Sequence, residues 1–192
     1  MVKVAVTGGI GSGKSYVCKL LEMRGISIYD CDKAAKHIMA SSEDIQSELK
    51  RVVGSDVFSD GKLNKAKLAS FLLKTESNTL KINNIIHPAV AEDFIKSGYG
   101  WMECAILFSS GFNRLVDKVI CVVAPIDVRI GRIMMRDGIS RDKAIEWINK
   151  QMPQDEVMSL SDYVIENDGK KDLDRQINEI LVSLNQTDTV KI

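Results

Sequence analysis

Residues Thr7 to Ser15 read TGGIGSGKS, four glycines in nine positions directly after the apolar run VKVAV. Glycine at that density weakens a helix or a strand, so the stretch marks a place where bare backbone is required. Gly8 to Ser15 fits the pattern G-x-x-x-x-G-K-S, and its flanks supply the setting that the pattern needs. A strand precedes it, and an amphipathic helix, KSYVCKLLEMRG, follows it and closes at Gly25. In such a loop successive N–H groups converge at a helix N-terminus, where they and the helix dipole hold phosphate oxygens. The reading gives Gly9, Ile10, Gly11, Ser12, Gly13, Lys14, Ser15 and Tyr16 to a nucleoside triphosphate. Lys14 then reaches the β- and γ-phosphates, and the Ser15 hydroxyl is the Mg²⁺ ligand. The plainer alternative is a glycine-rich turn that carries a surface lysine.

Composition narrows the setting of that site. A chain of 192 residues is long enough for one α/β domain with a full core and a small insertion. Lys+Arg and Asp+Glu are both 26, so no basic excess points to nucleic acid, and any anion site must be local. Cys18, Cys31, Cys104 and Cys121 are scattered without CxxC spacing, as reduced thiols are, and Cys104 and Cys121 lie in apolar runs that suit a core. There is no signal-like N-terminus and no apolar run of 18 residues. The expectation is a cytoplasmic protein with no membrane partner, a monomer or small homo-oligomer.

Short runs rich in Val and Ile recur at Val2–Thr7, Gly25–Tyr29, Trp101–Phe108, Lys118–Ala124 and Tyr163–Glu166, with helix-length periodic segments between them. That alternation predicts an α/β fold built on a doubly wound parallel sheet. From Asp32 to Gly100 lie about seventy residues with no convincing strand, too many for one crossover. They predict a helical insertion, about 33–98, within a single 1–192 domain. One helix starts from an N-cap at Ser41 or Ser42, a second runs through NKAKLASFLLK, and Pro88 marks a break before AVAEDFIKS.

The loop alone leaves the reaction open, because kinases, GTPases and mechanical ATPases share it. The nearest approach to a guanine motif, NKAK at Asn64, ends in Lys67 where an aspartate is needed, so the GTPase class recedes. The helical insertion and an arginine-rich segment, about 126–150, favour a phosphoryl-transfer kinase with a closing lid. Arg132 and Arg136 are four apart and share one helical face, whereas Arg141 follows the turn at Gly138. Such guanidinium groups stabilise charge on a transferring phosphoryl group; equally, they are ordinary solvated residues with Asp137 and Asp142 as partners. Arg129, one turn before Arg132, reads as a surface residue.

Taken in order, TGGIGSGKS, YDCDKAA, IIHPAV, RIMMRDGISRDKA and SDYVIENDG resemble the motifs of the dephospho-CoA kinase family over nearly the whole chain. The resemblance implies a P-loop kinase-like doubly wound sheet with a helical substrate-side insertion and an arginine lid. It also implies that ATP phosphorylates the ribose 3′-hydroxyl of dephospho-CoA. In that frame Asp32 is the base, with Lys14, Arg132 and Arg136 acting on the phosphates. Asn167 lies beside the ATP adenine, and Asp30, Asp32, His87 and Arg141 lie on the acceptor side. Each residue has a plainer reading. Asp32 would N-cap the helix beginning KAAKHIM, ENDG would be a simple turn, and His87 would be structural. Rival readings of the whole chain are another P-loop kinase of a nucleotide or nucleoside, or an ATP-binding regulator. The chain departs from the family's P-L-L-[FV]-E at Ala105-Ile106-Leu107-Phe108-Ser109, which puts the terminal acid's role in doubt at Ser109. Glu103 lies earlier in that strand.

Overall fold

The structure is a computed structural model and describes residues 2–59 and 61–189. From the N-terminus, β1 (Val4–Thr7) leads through the glycine loop into α1 (Lys14–Glu22), and β2 (Ile28–Asp30) follows. Next come α2 (Cys31–Ser41) and α3 (Glu43–Val53), a hairpin of β3 (Phe58–Ser59) and β4 (Lys62–Leu63), then α4 (Lys65–Lys74) and α5 (Glu76–Ser97). The chain continues as β5 (Trp101–Glu103), β6 (Lys118–Val123), α6 (Ile126–Asp137), α7 (Arg141–Asn149) and α8 (Gln154–Ser159). It ends in β7 (Tyr163–Glu166) and α9 (Leu173–Thr189). Two compact units divide it: the stretches up to Tyr29 and from Tyr99 onward form one, and Asp30–Gly98 the other.

In the first unit the five sheet strands run in the order β2-β5-β1-β6-β7. β1 pairs in parallel with β5 and with β6, and β6 pairs in parallel with β7. The apolar residues of β1 are buried without alternation, as a central parallel strand covered on both faces requires. One face is closed by α1 and α9. Val17, Cys18 and Leu21 of α1 meet Ile177, Ile180 and Leu184 of α9 over Val4, Val6, Ile120, Val122 and Ile165. Each of the large aliphatic side chains contributes about 1.5–3 kcal/mol by leaving water. α1 stops where Gly25 takes φ 82° and donates its N–H to the Glu22 carbonyl, while Ile26 donates to Leu21. The order places β1 centrally, with later strands added on either side of it. The loop that follows β1 therefore sits at the carboxyl edge of the sheet, where ligands of doubly wound folds bind.

The third apolar run differs from its expectation. β5 ends at Glu103, and the chain then coils, with Ser110 donating to the Ile106 carbonyl and Phe112 to Leu107. Cys104 and Leu107 are buried and Ile106 is exposed, a spacing of three that belongs to helical turns and not to a strand.

The second unit is helical, with one addition the sequence reading lacked. β3 and β4 pair antiparallel through Phe58↔Leu63 and Ser59↔Lys62, strands too short to leave a period-two pattern. Ser42, not Ser41, caps α3 by accepting from Ile45 N–H. The break expected at Pro88 is absent, and α5 runs through it. Ile82, Ile86, Val90 and Phe94 recur every four residues and bury one face, whereas Pro88 lies on the opposite, exposed face. The carbonyl of Asn84, which Pro88 cannot serve, is on that wet side, so the proline's cost of about 3 kcal/mol is smaller than the burial of four large side chains. Phe94→Ala is expected to destabilise the protein by about 3–5 kcal/mol, whereas Ile95→Ala, on the exposed face, should stay within about 0.5 kcal/mol. Denaturant unfolding of the two variants checks this.

Candidate active site

The loop after β1 is a strip of backbone with little side-chain packing of its own, so its shape is set by what grips it. Gly13, the residue before α1, has φ 91°, and a side-chain carbon there would collide with the Asn167 amide. One on Gly11, at φ 78°, would come within 2.7 Å of the Arg129 carbonyl. The glycines are thus needed on the inner side of the loop, where α6 and the end of β7 press against it. Side chains then take hold of the backbone. Arg129 Nε donates to the Ile10 carbonyl at 2.9 Å, and the Ile10 N–H donates to Gln151 Oε1 at 2.6 Å. Arg132 Nη1 donates to the carbonyls of Gly11 and Ser12, both at 3.3 Å, and its Nη2 to Asn167 Oδ1 at 3.2 Å. Asn167 Nδ2 donates to the Ser12 carbonyl at 2.9 Å. With these carbonyls held from behind and the Ile10 and Ser12 N–H groups bonded to Gln151 and Gly9, the other loop N–H groups and the α1 dipole suit an anion.

Lys14 begins α1 and Nζ donates to the Gly9 carbonyl at 3.4 Å. Ser12 Oγ is fully buried without a hydrogen-bond partner, an orphan donor in the wall of the loop. These features fit a phosphate chain. The Ser15 hydroxyl donates to Glu103 Oε1 on the neighbouring strand β5 at 2.7 Å. Among the described residues no three His, Cys, Asp or Glu side chains cluster as a metal cage. A hydroxyl beside one carboxylate instead fits Mg²⁺, which takes few ligands from the protein and the rest from phosphates and water. Tyr16 is exposed on the first turn of α1.

Asn167 is buried, and its own N–H donates to the Val123 carbonyl. The turn reading of ENDG belongs to Asp168, whose carboxylate accepts from the N–H groups of Lys170 and Lys171 and titrates below its usual range for that reason. Asp162 is structural: it accepts from Val119 N–H and pairs with Lys118, which pins β7 beside β6. Arg132 and Arg136 part company despite their shared face. Arg132 reaches the loop, whereas Arg136 is exposed and pairs with Asp137. Arg141 pairs with Asp127, not Asp142.

Arg129, read from the sequence as a surface residue, is 5% exposed. Ile130 and Ile133 face a small core with Ala144, and the rotation that buries them carries Arg129 inward as well. Gln151 and Glu103 are the other contributors that sequence reasoning left out or left unplaced. Beside the loop lies a cavity of about 140 Å³ lined by Gly8, Gly9, Phe108, Ser109, Gln151 and Met152. Ser109, where an acid was expected, borders it and donates to the Ile106 carbonyl.

In the second unit, Asp30 rather than Asp32 caps α2, accepting from Lys33 N–H at 2.9 Å and pairing with Lys33 Nζ. Asp32 lies exposed in the first helical turn, so the cap reading passes to Asp30 and leaves the Asp32 carboxylate without that duty. His87 is half-buried on α5, and burial pulls its pKa below the usual histidine value.

A glycine loop gripped from behind and open to phosphate at a helix N-terminus defines a P-loop nucleotide-binding protein. The family model for dephospho-CoA kinase matches residues 2–172. A dephospho-CoA kinase of Bacteroides fragilis is 40% identical over 196 aligned residues, covering 96% of this chain and 94% of its own. This chain belongs to the dephospho-CoA kinase family. A crystal structure from Thermus thermophilus has a TM-score of 0.82 at 28% identity, over 95% of this chain and 97% of that one. A dephospho-CoA kinase from Campylobacter jejuni shares the fold, with a TM-score of 0.66 at 19% identity over 99% and 98% of the two chains. No helix among the described residues is long and apolar enough to cross a membrane.

Asn167→Ala would take the amide donor from the buried Ser12 carbonyl and leave Arg132 Nη2 without its acceptor. It is expected to destabilise the protein by about 1–3 kcal/mol, measured by thermal unfolding without nucleotide.

Proposed function

We propose that this protein transfers the γ-phosphoryl group of ATP to the ribose 3′-hydroxyl of dephospho-CoA, giving coenzyme A and ADP. The observation that carries the reading is the loop at Gly8–Ser15, with Lys14 and Ser15 opening α1 and Glu103 on the Ser15 hydroxyl, in a chain of this family. Lys14 binds the β- and γ-phosphate oxygens, and the loop N–H groups hold the rest of the chain of phosphates. Ser15 and Glu103 would hold Mg²⁺, which when bound neutralises phosphate charge. Asn167 and its backbone border the adenine side.

Asp32 is the base. Its carboxylate takes the proton of the 3′-hydroxyl as that oxygen bonds to the γ-phosphorus, and the bond from the γ-phosphorus to the β,γ-bridging oxygen breaks to release ADP. Arg132 and Arg136 stabilise the charge spread over the transferring group. Arg136 leaves Asp137 to do so, a small loss, because exposed pairs are worth little. Arg141, His87 and Asp30 serve the acceptor side, residues 33–98 act as its wall, and residues 126–150 act as the lid.

Two outcomes check the reading. Incubation with ATP, Mg²⁺ and dephospho-CoA should yield coenzyme A by mass, and Lys14→Ala should cut that turnover by orders of magnitude in a folded protein. Failure of every acceptor beside retained ATP binding would favour a regulator instead. Asp32→Asn should lower turnover by about 10²–10⁴-fold while the melting temperature holds. Asp30→Asn, which preserves a good cap, should leave the fold equally stable. Near-native turnover in Asp32→Asn removes it as the base.

A further inference from the structure

A guanidinium taken out of water is costly unless a carboxylate accompanies it. Arg129 is 5% exposed, its Nε is used on the Ile10 carbonyl, and no described carboxylate offsets the burial, which pulls its pKa below the usual arginine value. It nonetheless remains charged. Its neighbour across the loop is Gln151. A side-chain carbon placed on Gly9 would strike Arg129 Nη2 and lie 3.3 Å from Gln151 Oε1, so the guanidinium and the carboxamide flank the same residue. Gln151 Oε1 already accepts the Ile10 N–H. A glutamate at 151 would make that bond equally well and would neutralise Arg129. The chain has the uncharged isostere.

We propose that Arg129 is a buried countercharge for the nucleotide's phosphates, left unneutralised because residue 151 is an amide, and that it acts as a positioning residue through the glycine loop. The inference rests on the ATP-binding reading above. The bound phosphates supply the negative charge that the fold withholds, so the cost of burying Arg129 is recovered only when nucleotide is present. At an effective dielectric constant of about 20, one unit charge on the order of 8 Å from another changes an equilibrium constant tenfold or more.

Gln151→Glu tests this without removing a contact, and Arg129→Gln tests it from the other side. ATP affinity by calorimetry and melting temperature without nucleotide are measured for both variants and for the unaltered chain. Gln151→Glu is expected to melt at the same or a higher temperature, because it gains an ion pair, yet to bind ATP about tenfold more weakly. Arg129→Gln should lose a similar factor; if it fails to fold, Gln151→Glu decides alone. A purely structural role would move stability and affinity together. Gln151→Glu that binds ATP within about twofold of the unaltered chain overturns the proposal, as does one that loses stability and affinity in step. An unaltered chain that binds no ATP would instead overturn the functional reading beneath it.

Discussion

The candidate site in the first unit depends on how the backbone of the glycine loop is held from behind. A loop made of glycine gains the freedom to curl around phosphate and forfeits the side chains that would fix it there. Four groups make good that loss: Arg129 and Arg132 from α6, Gln151 beyond α7, and Asn167 beyond β7. Each binds a carbonyl or N–H of Ile10, Gly11 or Ser12. The anion site is thereby shaped by the protein's own contacts, and such preorganisation lowers the ordering cost of binding.

The same grip ties α6 to the glycine loop. α6 carries Arg132 on the loop and Arg136 at the surface, four residues apart on one helix. A displacement of α6 would be felt at Gly11 and Ser12 through Arg132. The exposed pairs Arg136–Asp137 and Arg141–Asp127 are weak enough to exchange partners, whereas the buried contacts of Arg129 are not. Exposed and buried arginines thus share α6.

What the sequence reveals and what it conceals follow the range of the interaction. The P-loop is legible because its glycines, lysine and serine are contiguous and its flanking strand and helix are local patterns. The alternation of apolar runs is enough to give the parallel sheet. The grip on the loop is illegible, because Arg129 lies 119 residues from Ile10 and Gln151 lies 141 residues from it. Nothing in the neighbourhood of Arg129 marks it as buried, and Glu103 stands 88 residues from Ser15. Local rules also misled where tertiary packing outweighed them. Pro88 predicts a break that the buried stripe of α5 overrides, and the apolar run after Glu103 predicts a strand that turns instead.

The position of β1 sets an order of events during synthesis. β1 is completed within the first seven residues, yet its partners begin at Trp101 and Lys118. No part of the sheet can close around it until those residues exist. The contiguous helical unit, Asp30–Gly98, is by then already complete and free to fold on local contacts. The glycine loop is therefore among the first segments made and among the last to take shape, since Gln151 and Asn167, which hold it, come later still. A nascent chain carries its nucleotide loop unformed through most of translation, and nucleotide becomes a ligand for it only when the final strand is in place.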